Sequence, residues 1–211
     1  MSIVIKEVKT KKDIKQFVNF QFELYKDDKF FVPPIKRGAE KVLQADKNPS
    51  FDFCEAKFFL AFKNNKCVGR ITGILNHKYI KKTDEKLMRF SQPEFIDDTE
   101  VSTKLFEAVE DWAKENGAIG IHGPLGFTNL DTQGLLIEGF DYLPSIASVY
   151  NKKYYQNHIE KLNYEKEIDW IEFRLKIEKT IPAKAVKLNT LLKNRYELEV
   201  IRFSSNKELV K

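Results

Sequence analysis

Residues 57–76 read KFFLAFKNNKCVGRITGILN, and residues 97–117 read DDTEVSTKLFEAVEDWAKENG. The reading of these two stretches decides the fold. In the first, apolar runs flank Asn64–Asn65–Lys66. Asparagine tolerates positive φ, so the stretch predicts a hairpin of strands 57–63 and 67–76. In the second, Val101, Leu105, Val109 and Trp112 form one apolar stripe at helical spacing. Asp97 with Glu100 reads as its capping box, and Gly117 as its stop. Between the two, Leu87–Phe95 reads as a third strand of the meander, irregular at Pro93.

Working outward, the chain begins with a short alternating strand around Ile3 and Ile5. Thr10 then caps a helix carrying Ile14, Phe17, Val18, Phe22 and Tyr25. FFVPP at 30–34 is extended, a second helix covers 36–44, and DKNPSF at 46–51 is a loop. Beyond the long helix, 118–121 resumes as a strand, Gly123 to Asp131 is a glycine-punctuated loop, and 132–137 is a helical turn. Residues 145–150 read as a strand, 154–162 as a helix and 168–177 as an alternating strand. A run of strands followed by alternation with helices predicts an α/β (α+β) domain: a mixed, mostly antiparallel central sheet with helices on both faces. It is expected to span 1–178. Pro182, a helix over 183–193 and a strand over 198–203 then read as the start of a second, truncated unit, 179–211.

With 17 Phe and 8 Tyr the chain has the side chains to fill a core. Its 36 basic residues exceed its 31 acidic ones by only five, mostly as Lys. The densest runs, Lys78–Lys86 and Lys184–Lys193, read as solvated helix surface, so nucleic-acid binding is not expected. Cys54 and Cys67 show no CxxC spacing and suit a reducing compartment. MSIVIKEVKT at the start lacks the apolar run of a signal peptide, and nothing approaches the length of a membrane span. The expected location is the cytoplasm. His77 and His158 have no partner at metal-ligand spacing, so no metal site is expected.

This order of elements resembles that of the GNAT (GCN5-related N-acetyltransferase) superfamily. YYQNHIEKLNYEK at 154–166 resembles the superfamily's late helix and its exit, often written YxKxGF. Lys161 holds the Lys position, while Asn163 and Tyr164 stand for Gly and Phe. HGPLGFTNLDTQGLLIEGF at 122–140, followed by Tyr150–Asn151 and Tyr154–Tyr155, is similar to a group of bacterial GNAT-like proteins frequent in Bacteroidetes. The resemblance covers about residues 3–177. It implies an acyl-CoA donor, acetyl-CoA or another, whose pyrophosphate meets the N-terminus of the long helix. Thr99, Ser102, Thr103 and Lys104 are the residues there to meet it. It also implies a small-molecule or protein amine as acceptor; a homodimer is one candidate assembly, which the sequence does not decide. Two departures stand out. The turn DDTEVSTK has no glycine and carries Asp97, Asp98 and Glu100 where an anion would sit. The superfamily's frequent catalytic Tyr falls on Ile159.

Candidate chemistry follows from residue type and place. His122, at a strand end, is a candidate base toward an amine. Tyr150, Tyr154 and Tyr155, near the start of the late helix, are candidates for the phenol missing at Ile159. The 123–126 loop is placed to offer backbone N–H groups, with Asn129, Asp131 and Glu138 beside it to bind substrate. Gly69 permits a close approach, and Arg70 is suited to pair with a carboxylate. Two functions compete: an acyltransferase passing an acyl group from a thioester to an amine, and a binding module on the same scaffold that has lost catalysis. A splayed, bulged pair of central strands favours the first, and a closed sheet the second.

Overall fold

The structure is a computed structural model and describes residues 2–177 and 179–209. Its backbone divides into two compact units, Met1–Asp169 and Trp170–Lys211.

The first unit is built on a five-stranded sheet in the order β1-β2-β3-β4-β5. These strands are β1 (Val4–Glu7), β2 (Cys54–Lys63), β3 (Lys66–Asn76), β4 (Leu87–Phe95) and β5 (Gly120–His122). The first four pair antiparallel and β5 pairs parallel to β4, giving the expected mixed, mostly antiparallel sheet. The β2–β3 turn falls at Asn64 and Asn65, both at positive φ as their side chains allow.

Helix α1 (Lys11–Leu24) starts from a full capping box between Thr10 and Asp13. With α2 (Lys36–Val42) it covers one face of the sheet through Phe17, Val18, Phe20 and Leu43, against Phe58, Leu60 and Ile74. On the other face α4 (Thr99–Glu115) lays Val101, Leu105, Val109 and Trp112 over Ile71, Leu75 and Phe90, joined by Tyr155 and Ile159 of α5 (Tyr155–Lys161). The close approach expected at Gly69 is real: a Cβ there would lie 2.7 Å from Leu105 Cδ1.

Several local expectations are corrected. The residue capping α4 is Asp98, whose side chain accepts from Glu100 N; Asp97 instead bonds outward to another helix. A short helix α3 (His77–Thr83) occupies part of a lysine run that read as plain surface; Asn76 caps it by accepting from Tyr79 N. A 3₁₀ turn, Pro49–Asp52, overlaps the end of the expected 46–51 loop. Residues 132–137 form no helical turn: Gly134, at φ 82°, donates to Pro124 O, and Leu136 N donates to Asn151 Oδ1. The strand expected at 145–150 is a Ser145–Ser148 turn followed by irregular chain.

Among the described residues of the second unit only α6 (Ala183–Tyr196) and α7 (Asn206–Leu209) are regular. The described residues of 168–177 and 198–203 form no strand, and their bulky side chains are exposed. Alternation specifies which side chains share a face, but a strand exists only when a neighbour takes its hydrogen bonds, and among the described residues neither segment has one.

Candidate active site

β5 pairs with β4 only along Leu87–Arg89; after His122 the chain turns away, and Leu125 N donating to Phe90 O is the last backbone contact on that side. The far half of β4 therefore has no β5 residue paired with it. Ile96 N donates to Val68 O, so residue 96 faces β3 and Phe95 turns its N–H and C=O the opposite way, toward that unpaired side. Two phenols meet them: Phe95 N donates to the Tyr155 hydroxyl at 3.0 Å, and the Tyr154 hydroxyl donates to Phe95 O at 2.5 Å.

A bulge shapes the same stretch. Arg70 pairs with Glu94 and Thr72 with Ser91, so β4 spends Gln92 and Pro93 opposite Ile71 alone. Gln92 takes a φ of 49° to do so. The extra residue restores Ser91 and Glu94 to one face, opposite Thr72 and Arg70.

Glu94 is partly buried, and its Oε2 receives both the Tyr25 and the Tyr155 hydroxyls at 2.7 Å. Among the described residues nothing donates to Oε1. Burial raises the proton affinity of the carboxyl group above the ordinary glutamate range, against the pull of Arg70, Tyr25, Tyr155 and Lys152. Burial also raises Tyr25, Tyr154 and Tyr155, which keep their protons at neutral pH. The phenols therefore donate in these hydrogen bonds, and Glu94 Oε2 accepts.

Around this centre the chain after α1 is tied to the chain before α5. Asp28 accepts from the Tyr150 hydroxyl at 2.8 Å, from Lys152 Nζ at 3.0 Å and from Phe30 N. Burial pushes Asp28 up, but these bonds outweigh it and hold the group below its usual value. Lys152 lies over the Tyr25 ring, which stacks on Phe31. Burial and Asp28 together push the Tyr150 phenol up to about 12.

At the N-terminus of α4, Asp98 is held low by Lys63 Nζ at 2.6 Å, and Asp97 accepts from His158 Nε2 at 2.9 Å. His158 Nδ1 meets the fully buried Ser102 hydroxyl at 2.8 Å. Thr99 is exposed, Thr103 is half-buried, and Lys104 pairs with Glu107. Tested against a pyrophosphate, this end does not fit: it has no glycine, and the Asp98 carboxylate already caps one of its free N–H groups.

The structure brings Tyr150, Tyr154 and Tyr155 together around Tyr25 and Glu94, and puts His122 elsewhere. His122 is paired with Arg89, six residues up β4 from Phe95, or about 20 Å along an extended strand. Its ring lies against Tyr79; burial, then Arg89, lowers its proton affinity, and its Nε2 is buried without a partner among the described residues. Asp131 accepts from the Thr128 N–H and hydroxyl, bracing the 123–131 loop; Asn129 and Glu138 are exposed. Sequence reasoning missed Glu94 and Tyr25. The one signal was Arg70, expected to pair with a carboxylate: Glu94 stands opposite it in register, while the guanidinium donates to Phe17 O.

No protein-family model matches the chain. It is 37% identical over 159 residues to protein YghO of Escherichia coli K12, covering 75% of this chain and 40% of that protein. It is 27% identical over 206 residues to the bacterial ceramide synthase of Caulobacter vibrioides, covering 92% of this chain and 53% of that protein. The chain therefore spans about half the length of these relatives. Among solved structures, a predicted acetyltransferase from Clostridium acetobutylicum with acetyl-CoA superposes at a TM-score of 0.51 and 13% identity, covering 82% of this chain and 96% of that one. The fold is the GNAT acetyltransferase fold.

Proposed function

We propose that this chain is the GNAT-fold part of an N-acyltransferase that moves an acyl group from a thioester to an amine. The observation that carries the reading is Glu94. One carboxylate oxygen is fastened by two phenols, and the other has no donor among the described residues, beside the part of β4 that β5 does not pair. Such a group is oriented as a general base. A relative named for making ceramide, an amide of a fatty acid and a long-chain amino alcohol, supports a lipid-like amine as acceptor.

In the reaction the acceptor enters as the free amine, its nitrogen forms a bond to the thioester carbonyl carbon, and Glu94 takes the proton that the nitrogen loses. The carbon–sulfur bond then breaks, the thiolate takes a proton from a phenol, and the proton held by Glu94 returns to the phenolate. Tyr154 is assigned that role, because its protonated hydroxyl lies on the free edge of β4. The donor is an acyl-CoA or an acyl carrier. The α4 turn favours a donor that does not depend on a pyrophosphate contact there. The cytoplasm suits both donors and the two free, buried cysteines.

The competing reading, a binding module without catalysis, draws on the acidic α4 turn and on the phenols that already fill Phe95's edge. Thermal-shift titration with acetyl-CoA, a long-chain acyl-CoA and free CoA separates the two. A saturable rise in melting temperature supports the acyltransferase. No rise with any of them on folded protein, and none with an acyl carrier, leaves the binding module.

A further inference from the structure

Arg70 is 3% exposed, and its bonding is incomplete. Nη1 donates to Phe17 O at 2.8 Å, and the guanidinium lies over the Phe17 ring, 4.8 Å from its centroid. Its buried Nε has no partner among the described residues. Guanidinium keeps its charge in proteins, so burial demands a counter-charge rather than a lost proton. The groups whose charge acts on Arg70 are Glu94 on β4, Tyr155 on α5, Tyr25 at the end of α1 and Cys67 on β3. Tyr25 and Tyr155 are protonated at neutral pH, as argued above. Burial pushes the Cys67 thiol up to about 11, so it too is neutral. That leaves Glu94, which β3 and β4 set directly opposite Arg70 on the same face.

We propose that Arg70 is a positioning residue of the candidate active site: anchored to the α1 carbonyl of Phe17, its buried charge keeps Glu94 in the carboxylate form needed to accept a proton from the amine. This deepens the reading of Glu94 as base and rests on it. Burial drives Glu94 toward its protonated form. Arg70 is the largest influence opposing that drive, ahead of the two phenols and Lys152. The phenols hold Glu94 in place, but both serve one oxygen. Without Arg70 the base would be protonated at a pH where it is required to be free, and its orientation would be unchanged.

The test is a carboxyl-carbon NMR titration of the full chain labelled with ¹³C-glutamate, with Glu94→Gln assigning the resonance. Arg70→Gln is expected to raise the Glu94 midpoint by about one pH unit or more, and Arg70→Lys to return it toward the wild-type value. An unmoved midpoint in folded Arg70→Gln overturns the proposal. So does a Lys variant that behaves like the Gln variant while holding the same fold. If Arg70→Gln does not fold, the double variant Arg70→Gln/Glu94→Gln, with no buried charge left unbalanced, is expected to recover its melting temperature; failure to recover overturns the proposal equally. Acyl transfer by Glu94→Gln is scored separately. Full activity there would remove the base reading while the titration still reports on the charge pair.

Discussion

Tyr155 donates its hydroxyl proton to Glu94 at 2.7 Å and, through the same oxygen, accepts the backbone N–H of Phe95 at 3.0 Å. One phenol thus fixes both the orientation of the carboxylate and the polarity of the free strand edge next to it. Tyr25 completes the arrangement from the opposite side of the chain order, giving Oε2 its second donor.

If Glu94 is the base, Glu94→Gln should lower acyl transfer by about 100-fold or more when assayed well below its melting temperature, which itself falls because the buried Arg70 loses its counter-charge. The pH profile is the sharper check. The active form is the carboxylate, and its proton affinity is raised by burial. Wild-type kcat/KM should therefore fall as pH drops through a midpoint above the ordinary glutamate value, and the residual activity of the variant should lack that limb. A profile flat through the acid range in wild type would count against Glu94.

The two phenols on Phe95 are expected to differ. Tyr155→Phe leaves a buried N–H without an acceptor and removes one of the two donors to Glu94, at a cost of about 1–3 kcal/mol by urea unfolding. Tyr154→Phe removes a donor from a carbonyl on the free edge of β4, costs less, and exposes that carbonyl to an incoming amide. Donor binding in a thermal-shift titration should then tighten. If it does not, the Phe95 carbonyl lies off the donor's path.

What the sequence disclosed here, and what it hid, follow from the range over which each feature is specified. The Asn64–Asn65 turn, the Thr10 cap and the α4 stripe are written in residues a few positions apart, and each appears as expected. Glu94 carries no local mark: it follows a proline, and Tyr155 and Tyr25 lie 61 and 69 positions away. The bulge at Gln92 that turns Glu94 toward Arg70 uses a residue that seldom takes positive φ. In the opposite direction, the segment 168–177 alternates in sequence yet makes no strand, because pairing is supplied by another part of a structure and not by the segment.

Asp13 offers a test of stability against pH. Its 4% exposed carboxylate accepts from Lys6 Nζ, from Thr10 N and from Lys9 N, and the Lys6 bond is the main reason it is held well below the usual carboxylate range. A depressed folded pKa means stability that is present above the unfolded value, about 3.9, and lost as pH falls toward the folded value. Asp13→Asn should cost about 1–3 kcal/mol at pH 7, at the lower end if solvent screens the half-exposed Lys6. The gap from wild type should close progressively below about pH 4 in urea titrations. A gap that stays constant down to pH 2 would show that the capping geometry, and not the charge, is what matters.

Two glycines let β3 lie close beneath α4, and they should respond differently to a methyl group. At Gly73 a Cβ would stand 2.8 and 3.0 Å from Cε3 and Cζ3 of Trp112, a ring that moves only as a whole. At Gly69 it would stand 2.7 Å from the flexible end of Leu105 but also 3.1 Å from Cβ of Phe95, which shifts only with its strand. Both Gly→Ala variants should lose about 1–3 kcal/mol of stability, as overpacked cores do. Only Gly69→Ala presses on the residue whose N–H and C=O are held by Tyr155 and Tyr154. It should therefore lose acyl transfer beyond what its stability loss explains, whereas Gly73→Ala, assayed well below its melting temperature, should keep it. Equal activity in the two variants would mean that the position of Phe95 does not govern the site.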